Sequence, residues 1–253
     1  MLKPTAATEE NHRHIHVPAS LPSIAITRRS MLTASAALTG AVMVGGMSTA
    51  FAQQALIGTT VRATGEQALG SFYPFTLPAD QDADLTVIAG KNGRAGRAGR
   101  ALGQIVYVSG RVMNLRGEPV ANAVLEIWQA NSVGRYSHIG DQSAIPLDPN
   151  FEGYAKIRSD ADGNYRFKTV KPAAYPTGVD GWSRPPHIHF DIKGRATRLV
   201  TQMYFEGEAL NEKDRLFAGA NAKETLLAHY GAPSGKQERD ALVAAWDVVL
   251  NFG

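Results

Sequence analysis

Residues 184–193 read Arg-Pro-Pro-His-Ile-His-Phe-Asp-Ile-Lys, and this stretch is the main guide to the fold. Side chains of a β-strand alternate between its two faces, so His187 and His189 point the same way if the stretch is a strand. The aromatic and β-branched residues beside them favour a strand, and Pro185-Pro186 favours a bend where it begins. Two histidines on one face can bind one metal ion, although an isolated His-x-His pair is also common in structural roles.

The chain from Gly103 onward has the pattern of an all-β domain. Four further segments alternate in hydrophobicity and are bounded by turn residues. They are Gln104–Met113, Ala123–Gln129, Tyr165–Val170 and Leu199–Phe205. Short strands at this spacing predict an antiparallel β-sandwich with long loops and a few short helices. Helices are expected near Ala222–His229 and near Glu238–Val249. Trp128 and Trp246 are expected in the core.

Residues 1–52 have the composition of an export leader. Arg28-Arg29 precede a weakly apolar run, and Ala50-Phe51-Ala52 is an A-x-A cleavage signal. The adjacent arginines and the low hydrophobicity favour a twin-arginine signal over an ordinary secretory leader, which predicts export to the periplasm. We expect no stable membrane anchor, because the run is short and broken by glycine. The expected organisation is a leader over 1–52, an arm over 53–102 and a β domain over 103–253.

Composition limits the possible ligands and partners. Lys and Arg number 26 against 23 Asp and Glu, and removing the leader brings the two close to balance, so no nucleic-acid partner is expected. Cysteine is absent, which excludes disulfides and thiolate ligands. Any metal must be bound by nitrogen and oxygen atoms. The Gly-Arg-Ala repeat over Gly93–Arg100 lacks the spacing of a phosphate-binding loop and is interpreted as a flexible basic turn.

Two tyrosines in loops are candidate metal ligands. Tyr136 follows the predicted strand that ends at Gln129, and Tyr175 lies in a proline-flanked loop before the histidine strand. Phenolate is a hard anionic donor that suits Fe(III) better than Zn(II) or Cu(I), and a trivalent cation stabilises the phenolate form. Taken alone, either tyrosine is better explained by packing. His138, close to Tyr136, is expected to pack or to support the loop.

Several linked motifs resemble the intradiol ring-cleaving dioxygenases, and most closely the iron-binding beta subunits of protocatechuate 3,4-dioxygenases. They lie in order between about residues 103 and 211. They are Gly110-Arg111-Val112, Gly117–Val120, Glu126–Asn131, Gly134-Arg135-Tyr136, Phe167–Pro172, Arg184–Phe190 and Thr201–Phe205. Such a linked set is far more specific than the histidine pair by itself.

The resemblance implies a non-haem Fe(III) centre held by Tyr136, Tyr175, His187 and His189. It places Tyr175 and His187 in axial positions, and Tyr136 and His189 in equatorial positions. The implied reaction uses O2 to cleave a catechol, such as protocatechuate, between its two hydroxyl carbons, and gives a cis,cis-muconate-type diacid. Tyr175 would accept a substrate proton.

The resemblance also implies two catalytic residues that are not ligands. Arg184 would lie beside the substrate ring and stabilise negative charge on it, and Gln202 matches the glutamine of the family's Thr-Gln-x-Tyr-Phe strand. The alternatives are a surface or cap role for Arg184 and an ordinary strand hydrogen bond for Gln202.

Three features depart from the family pattern. Thr177 stands where protocatechuate enzymes commonly have tryptophan after Tyr-Pro, which leaves the substrate open among the catechols. The sequence has no stretch that resembles the long helical N-terminal domain typical of catechol 1,2-dioxygenases, so that subfamily is not the expected one. Protocatechuate enzymes also pair the iron-binding chain with a related one, so a homo-oligomer or a pair with a related subunit is expected.

Two other functions fit parts of the sequence. One is a non-catalytic β-sandwich module that binds a ligand or a partner. The other is a periplasmic Zn or Cu enzyme whose metal is bound through His187 and His189. Visible colour separates both from the Fe(III) enzyme, because tyrosinate bound to Fe(III) absorbs visible light.

Overall fold

The structure, a computed structural model, describes residues 61–89 and 99–252. The predicted leader and most of the Gly93–Arg100 repeat lie outside the described residues. The strands are β1 (Ile105–Asn114), β2 (Val124–Trp128), β3 (Tyr154–Arg158), β4 (Asn164–Val170), β5 (Tyr175–Pro176), β6 (Ser183–Arg184), β7 (His187–Lys193), β8 (Arg198–Phe205), β9 (Leu227–Gly231), β10 (Leu242–Ala245) and β11 (Val248–Leu250). The helical segments are α1 (Arg215–Ala218) and the 3-10 turns Asn211–Lys213 and Lys223–Leu226.

A nine-stranded mixed sheet, nearly closed into a barrel, makes up most of the fold. Its order runs from β4 to β1, then through β10, β9, β8, β7 and β2 to β3, with β11 also paired to β1. Residues 81–85 of the arm lie between the end strands: Lys156 N donates to Gln81 O (2.9 Å), and Lys168 N donates to Ala83 O (2.7 Å). Strands β5 and β6 form a separate pair.

The all-β class is confirmed, but the antiparallel sandwich is not. Three pairings are parallel: β1 with β10, β1 with β11, and β8 with β9. Parallel neighbours need a long connection, and residues 206–226 supply the one from β8 to β9. Alternation along single strands carries no information about the direction of their neighbours, which is why the sequence did not predict these pairs.

Both expected helices are wrong. Ala222 has a left-handed backbone (φ 56°), Lys223–Leu226 is a 3-10 turn, and β9 begins at Leu227. The stretch near Glu238–Val249 contains β10 and β11 instead. Ala, Leu, Lys, Arg and Glu make up most of the first stretch and half of the second, but pairing with β8 and β1 outweighs that weak helix preference.

The four predicted strands are present, and their ends differ from the predicted ones by at most one residue. Alternation along β7 sends Ile188, Phe190 and Ile192 into the main hydrophobic core, where each is fully buried. Burying one such side chain contributes about 1.5–3 kcal/mol. Trp128 and Trp246 are also buried, as predicted. The opposite face of β7 carries the two histidines.

Residues 65–68 of the arm pack along β8. Gln67 N donates to Val200 O (2.9 Å), and the side chains of Thr201 and Gln202 donate to Gly65 O (2.7 Å) and Ala68 O (2.9 Å). The arm therefore covers the strand next to the histidine strand. Within the described residues, no helix has the length and hydropathy to cross a membrane.

Candidate active site

The two histidines of β7 converge at their Nε2 atoms. His187 Nε2 and His189 Nε2 are 3.2 Å apart, and each residue is 2% exposed. Their shared direction follows from the two-residue period of the strand, since Ile188 between them faces the core. The sequence prediction of two imidazoles on one face is confirmed.

Tyr136 meets both histidines at the same point. Its hydroxyl lies 3.4 Å from His187 Nε2 and 3.2 Å from His189 Nε2. The loop that carries it is held by polar side chains: Asn131 Oδ1 accepts from Arg135 N (2.9 Å), and Asp141 Oδ2 accepts from Tyr136 N (2.9 Å). A loop fixed by these hydrogen bonds can hold the Tyr136 phenol against β7, which comes over 50 residues later in the chain.

Tyr175 completes the group of four predicted ligands. It lies on β5, directly paired with Arg184 on β6. Its ring is perpendicular to that of Tyr136, with centroids 5.5 Å apart, and its centroid is 5.7 Å from that of His187. Tyr175 is half-buried, whereas Tyr136 and both histidines are buried.

Both imidazoles are neutral at neutral pH. Burial, followed by the Arg184 cation, lowers the pKa of His189 to about 3, and the same causes hold the pKa of His187 well below its ordinary value. His187 Nδ1 lies 2.7 Å from Pro185 O, and a carbonyl can only accept. His187 Nδ1 must therefore carry the hydrogen, which leaves the Nε2 lone pair facing Tyr136.

The phenols are protonated in the metal-free protein. Burial raises the pKa of Tyr136 well above its ordinary value, and neighbouring Tyr175 raises it further. Burial also raises the pKa of Tyr175, against the opposing effect of Arg184. A bound trivalent cation would reverse this balance, because it stabilises the phenolate form.

This donor set fits a ferric ion. Two neutral imidazoles and two phenols supply the nitrogen and hard oxygen donors that Fe(III) takes. Within residues 61–89 and 99–252, no group of three or more His, Cys, Asp or Glu residues could hold a metal ion. The tyrosines therefore distinguish this site from a carboxylate-rich Zn, Mg or Ca site.

Arg184 and Gln202 lie together beside these donors. Arg184 is 4% exposed, and its Nη2 donates to Gln202 Oε1 (2.6 Å) and to Tyr204 OH (2.9 Å). Gln202 pairs with His189 across β7 and β8, and Tyr204 pairs with His187. The surface or cap role considered for Arg184 is excluded by its burial.

A family model described as "Dioxygenase" matches residues 83–252. The chain belongs to the intradiol dioxygenase family. Its resemblance to the family is therefore confirmed over most of the described residues.

Two curated members illustrate how this intradiol dioxygenase relates to the family. The protocatechuate 3,4-dioxygenase beta chain of Burkholderia cepacia is 45% identical over 175 residues, which cover 67% of this chain and 71% of that protein. Catechol 1,2-dioxygenase 2 of Acinetobacter lwoffii is 36% identical over 129 residues, which cover 46% and 45%. The chain thus spans about half the length of the catechol dioxygenases it matches.

Solved structures of intradiol dioxygenases share the fold. A 3-chlorocatechol 1,2-dioxygenase from Rhodococcus opacus 1CP matches with a TM-score of 0.56 and 22% identity, over 80% of this chain and 77% of that one. The dioxygenase domain of a dioxygenase carbohydrate-binding protein fusion from Streptomyces sp. SirexAA-E matches with a TM-score of 0.56 and 24% identity, over 76% and 100%.

The intradiol dioxygenase site includes aromatic residues that sequence analysis did not place there. Trp128, expected only in the core, stacks on His189 with centroids 4.9 Å apart. Phe72 of the arm stacks on Tyr136 at 4.5 Å. The backbone at Gly70 approaches His189 so closely that a Cβ would lie 2.9 Å from His189 Cε1. The arm has no hydrophobic periodicity, and Phe72-Tyr73-Pro74, which weakly resembles a motif of the family, is the one sequence signal that could have drawn attention to this segment.

Two further polar residues of this intradiol dioxygenase were also missed. Tyr204 shares a face of β8 with Gln202, and the two-residue period could have revealed it. Asp214 lies 3.0 Å from Arg184 and outside every motif. His138 supports its loop, because its Nδ1 accepts from Gly140 N (2.9 Å) and its ring lies beside Phe72.

Proposed function

We propose that this chain is a non-haem Fe(III) intradiol dioxygenase that cleaves the ring of a catechol between its two hydroxyl carbons, with O2, to a cis,cis-muconate-type diacid. The observation that carries the proposal is the convergence of Tyr136, Tyr175 and the two Nε2 atoms of His187 and His189 beside a buried arginine. The names of the relatives, which include protocatechuate and catechol dioxygenases, support a catechol-type substrate.

The ferric ion, held by Tyr136, Tyr175, His187 and His189, would supply Lewis acidity and a template for the two catechol oxygens. Tyr175 is the least buried of the four donors, and it is the one we propose to accept a substrate proton at its phenolic oxygen. Arg184 would stabilise negative charge on the ring, since a fixed cation in a buried site is oriented before charge develops. Phe72 and Trp128 would exclude water from the donors.

The two alternative functions are not favoured. A non-catalytic module does not account for the family match over residues 83–252. A Zn or Cu enzyme built on His187 and His189 does not account for the two phenols packed beside the histidines.

The proposal is tested with the iron-loaded chain from Gln53 onward. Oxygen uptake is screened over catechol, protocatechuate, hydroxyquinol and chlorocatechols, and iron is measured by elemental analysis. We expect a red to burgundy protein with one iron per chain that consumes O2 with at least one of these substrates. A colourless protein without iron, or the absence of oxygen uptake on the whole series, would reject the proposal.

We also propose that the enzyme works as a homo-oligomer or with a related second subunit. The support is the match to a protein named as a beta chain. Light scattering on the purified chain, with and without a co-expressed related chain, tests this proposal. A chain that is monomeric, fully active and unable to bind the related chain would contradict it.

Export through the twin-arginine route is proposed from residues 1–52. Replacing Arg28 and Arg29 with lysines should keep the protein in the cytoplasm, because that route requires the paired arginines. Fractionation of cells that produce the full chain and the Arg28→Lys/Arg29→Lys variant measures the effect. Equal periplasmic amounts of the two proteins would point to an ordinary secretory leader.

A further inference from the structure

Asp214 is a fully buried carboxylate on the crossover between β8 and β9. Its Oδ1 lies 3.0 Å from Arg184 Nε and accepts from Trp182 Nε1 (3.2 Å). Its Oδ2 accepts from Tyr204 OH (3.0 Å). The carboxylate therefore contacts the guanidinium directly and also a second residue, Tyr204, that holds the same guanidinium.

We propose that Asp214 is a positioning residue that fixes the Arg184 guanidinium in the orientation in which it acts on the substrate, an inference that rests on the proposed function. Among the described residues, the ion pair and hydrogen bonds of the Asp214 side chain go to Arg184, Trp182, Tyr204 and the Leu216 N–H and to none of the four metal donors, so it acts through Arg184.

Charge is the first reason. Arg184 is almost fully buried, and a buried cation without a counter-charge is strongly unfavourable. In the part of the chain that the structure describes, Asp214 is the one carboxylate within ion-pair distance of Arg184. Gln202 and Tyr204, the other partners of Arg184, are neutral. Asp214 therefore balances the charge that the site needs.

Geometry is the second reason. A guanidinium is planar, so contacts at two of its nitrogens fix both its position and its plane. The Asp214 carboxylate is ion-paired with Nε at 3.0 Å, outside hydrogen-bond geometry, while Gln202 and Tyr204 accept hydrogen bonds from Nη2. Trp182 contributes a third restraint, since the Arg184 Cζ lies 5.7 Å from the centroid of its ring.

The Arg184 residue lies next to the metal donors, since it pairs with Tyr175 across β5 and β6. Tyr204, which links Asp214 to Arg184, also stacks on His187 with centroids 5.8 Å apart. A change in the Arg184 orientation would therefore be felt where the catechol is expected to bind.

The backbone around Asp214 makes it suitable for this role. Its own N–H donates to Leu210 O (3.0 Å), and its Oδ1 also accepts from Leu216 N (3.4 Å) at the start of α1. These contacts fix the Asp214 carboxylate to the crossover. The backbone of Arg184 is therefore held by β6, and its guanidinium is held by the crossover.

The test is a double-mutant cycle in the iron-loaded enzyme, with Asp214→Asn, Arg184→Gln and the double variant. Oxygen uptake with the best catechol gives kcat and KM, and iron content and the visible spectrum show whether the metal centre persists. We expect Asp214→Asn to lower kcat about 10- to 100-fold with little change in KM or iron content. In the Arg184→Gln background, the same substitution should change kcat by less than about twofold, because the residue through which it acts is gone.

Two further variants separate positioning from general destabilisation. Asp214→Glu keeps the charge and should retain more activity than Asp214→Asn at equal or lower thermal stability. Asp191→Asn removes another buried carboxylate, which is ion-paired with Arg198 rather than with Arg184. Its effect on kcat should multiply with that of Arg184→Gln.

The outcomes are distinct. If the wild-type enzyme is active but the effects of Asp214→Asn and Arg184→Gln on kcat multiply, only the role of Asp214 is overturned. The same conclusion follows if Asp214→Asn is as active as wild type. A wild-type enzyme without oxygen uptake on any catechol overturns the proposed function, and the role of Asp214 with it.

Discussion

His187 and His189 share a direction because they are two residues apart on one strand, and Tyr136 reaches them from a separately fixed loop. Their protonation states follow from burial and from the hydrogen bond between His187 and Pro185 O. Tyr175 differs from these three residues in being half-buried on a two-residue strand. This difference is the physical basis for giving it a separate role.

At this scale we predict different results from removing Tyr175 and His187. Tyr175→Phe should keep most of the iron but slow turnover by about 100-fold or more, since a proton acceptor is lost. His187→Ala should lose both iron and activity, because it removes a fully enclosed donor. Elemental analysis and oxygen uptake measure the two effects. His229→Gln, which changes an exposed histidine paired with Glu206, is the control and should retain both. Equal iron loss in the Tyr175 and His187 variants would contradict the assigned roles.

Four elements bring the site together: the strand pair β7–β8, the loop after β2 that carries Tyr136, the β5–β6 hairpin and the arm. The hairpin places Tyr175 opposite Arg184, and β8 places Gln202 opposite His189. The arm follows β8 by hydrogen bonds and lays Phe72 on Tyr136. The arm thus forms part of the wall of the site, although its sequence has no regular pattern.

At the scale of elements we predict that the arm must have glycine at position 70. Gly70 has φ +83°, and a Cβ there would lie 2.9 Å from His189 Cε1. Gly70→Ala should lower the free energy of unfolding by about 1–2 kcal/mol from the backbone alone and also displace the imidazole, which weakens iron retention. Urea unfolding of the metal-free protein and iron loss to a chelator measure the two parts.

The matched control is Gly207→Ala. Gly207 has φ +80°, but a Cβ there meets no atom within 4 Å. The control should show a similar loss of stability and normal iron retention. If both variants release iron at the same rate, the contact with His189 does not matter.

At the scale of the whole described part of the chain, the fold is mainly a mixed sheet whose open side is filled by residues 81–85 of the arm. Glu152 lies at this seam, and its N–H donates to Leu85 O (3.0 Å). Burial, followed by repulsion from Asp80 and Asp82, raises the pKa of Glu152 to about 7. The closure of the sheet therefore places an acid where its charged form is unfavourable.

At this scale we predict a pH-dependent stability that Glu152 controls. Between its ordinary pKa of 4.5 and about 7, the folded protein holds a proton that the unfolded chain releases, so the free energy of unfolding falls as pH rises. The slope is at most about 1.4 kcal/mol per pH unit, and solvent screening reduces it. Urea unfolding across this range, compared between wild type and Glu152→Gln, isolates the effect.

Relative to wild type, Glu152→Gln should become more stable as pH rises from 4.5 to about 7. Glu66→Gln, which changes an exposed glutamate of the arm, should follow the wild-type curve. Parallel curves for wild type and Glu152→Gln would show that the Glu152 carboxyl keeps its ordinary pKa.

The sequence by itself determined the histidine pair, the four strands of alternating hydrophobicity and the membership of the family. These features are local, because the two-residue period belongs to a single strand and a motif is a short run of residue types. The candidate tyrosines needed the family pattern as well, since a lone tyrosine in a loop has no period.

Only the tertiary structure decided the parallel pairings, the packing of the arm against the site and the contact between Arg184 and Asp214. Each joins segments that are distant along the chain, and their energies come from pairing and burial that no local pattern records. The same reason explains the two helices that were wrongly predicted near Ala222–His229 and Glu238–Val249. Many of their residues favour a helix locally, but backbone hydrogen bonds to β8 and β1 hold parts of both stretches as strands.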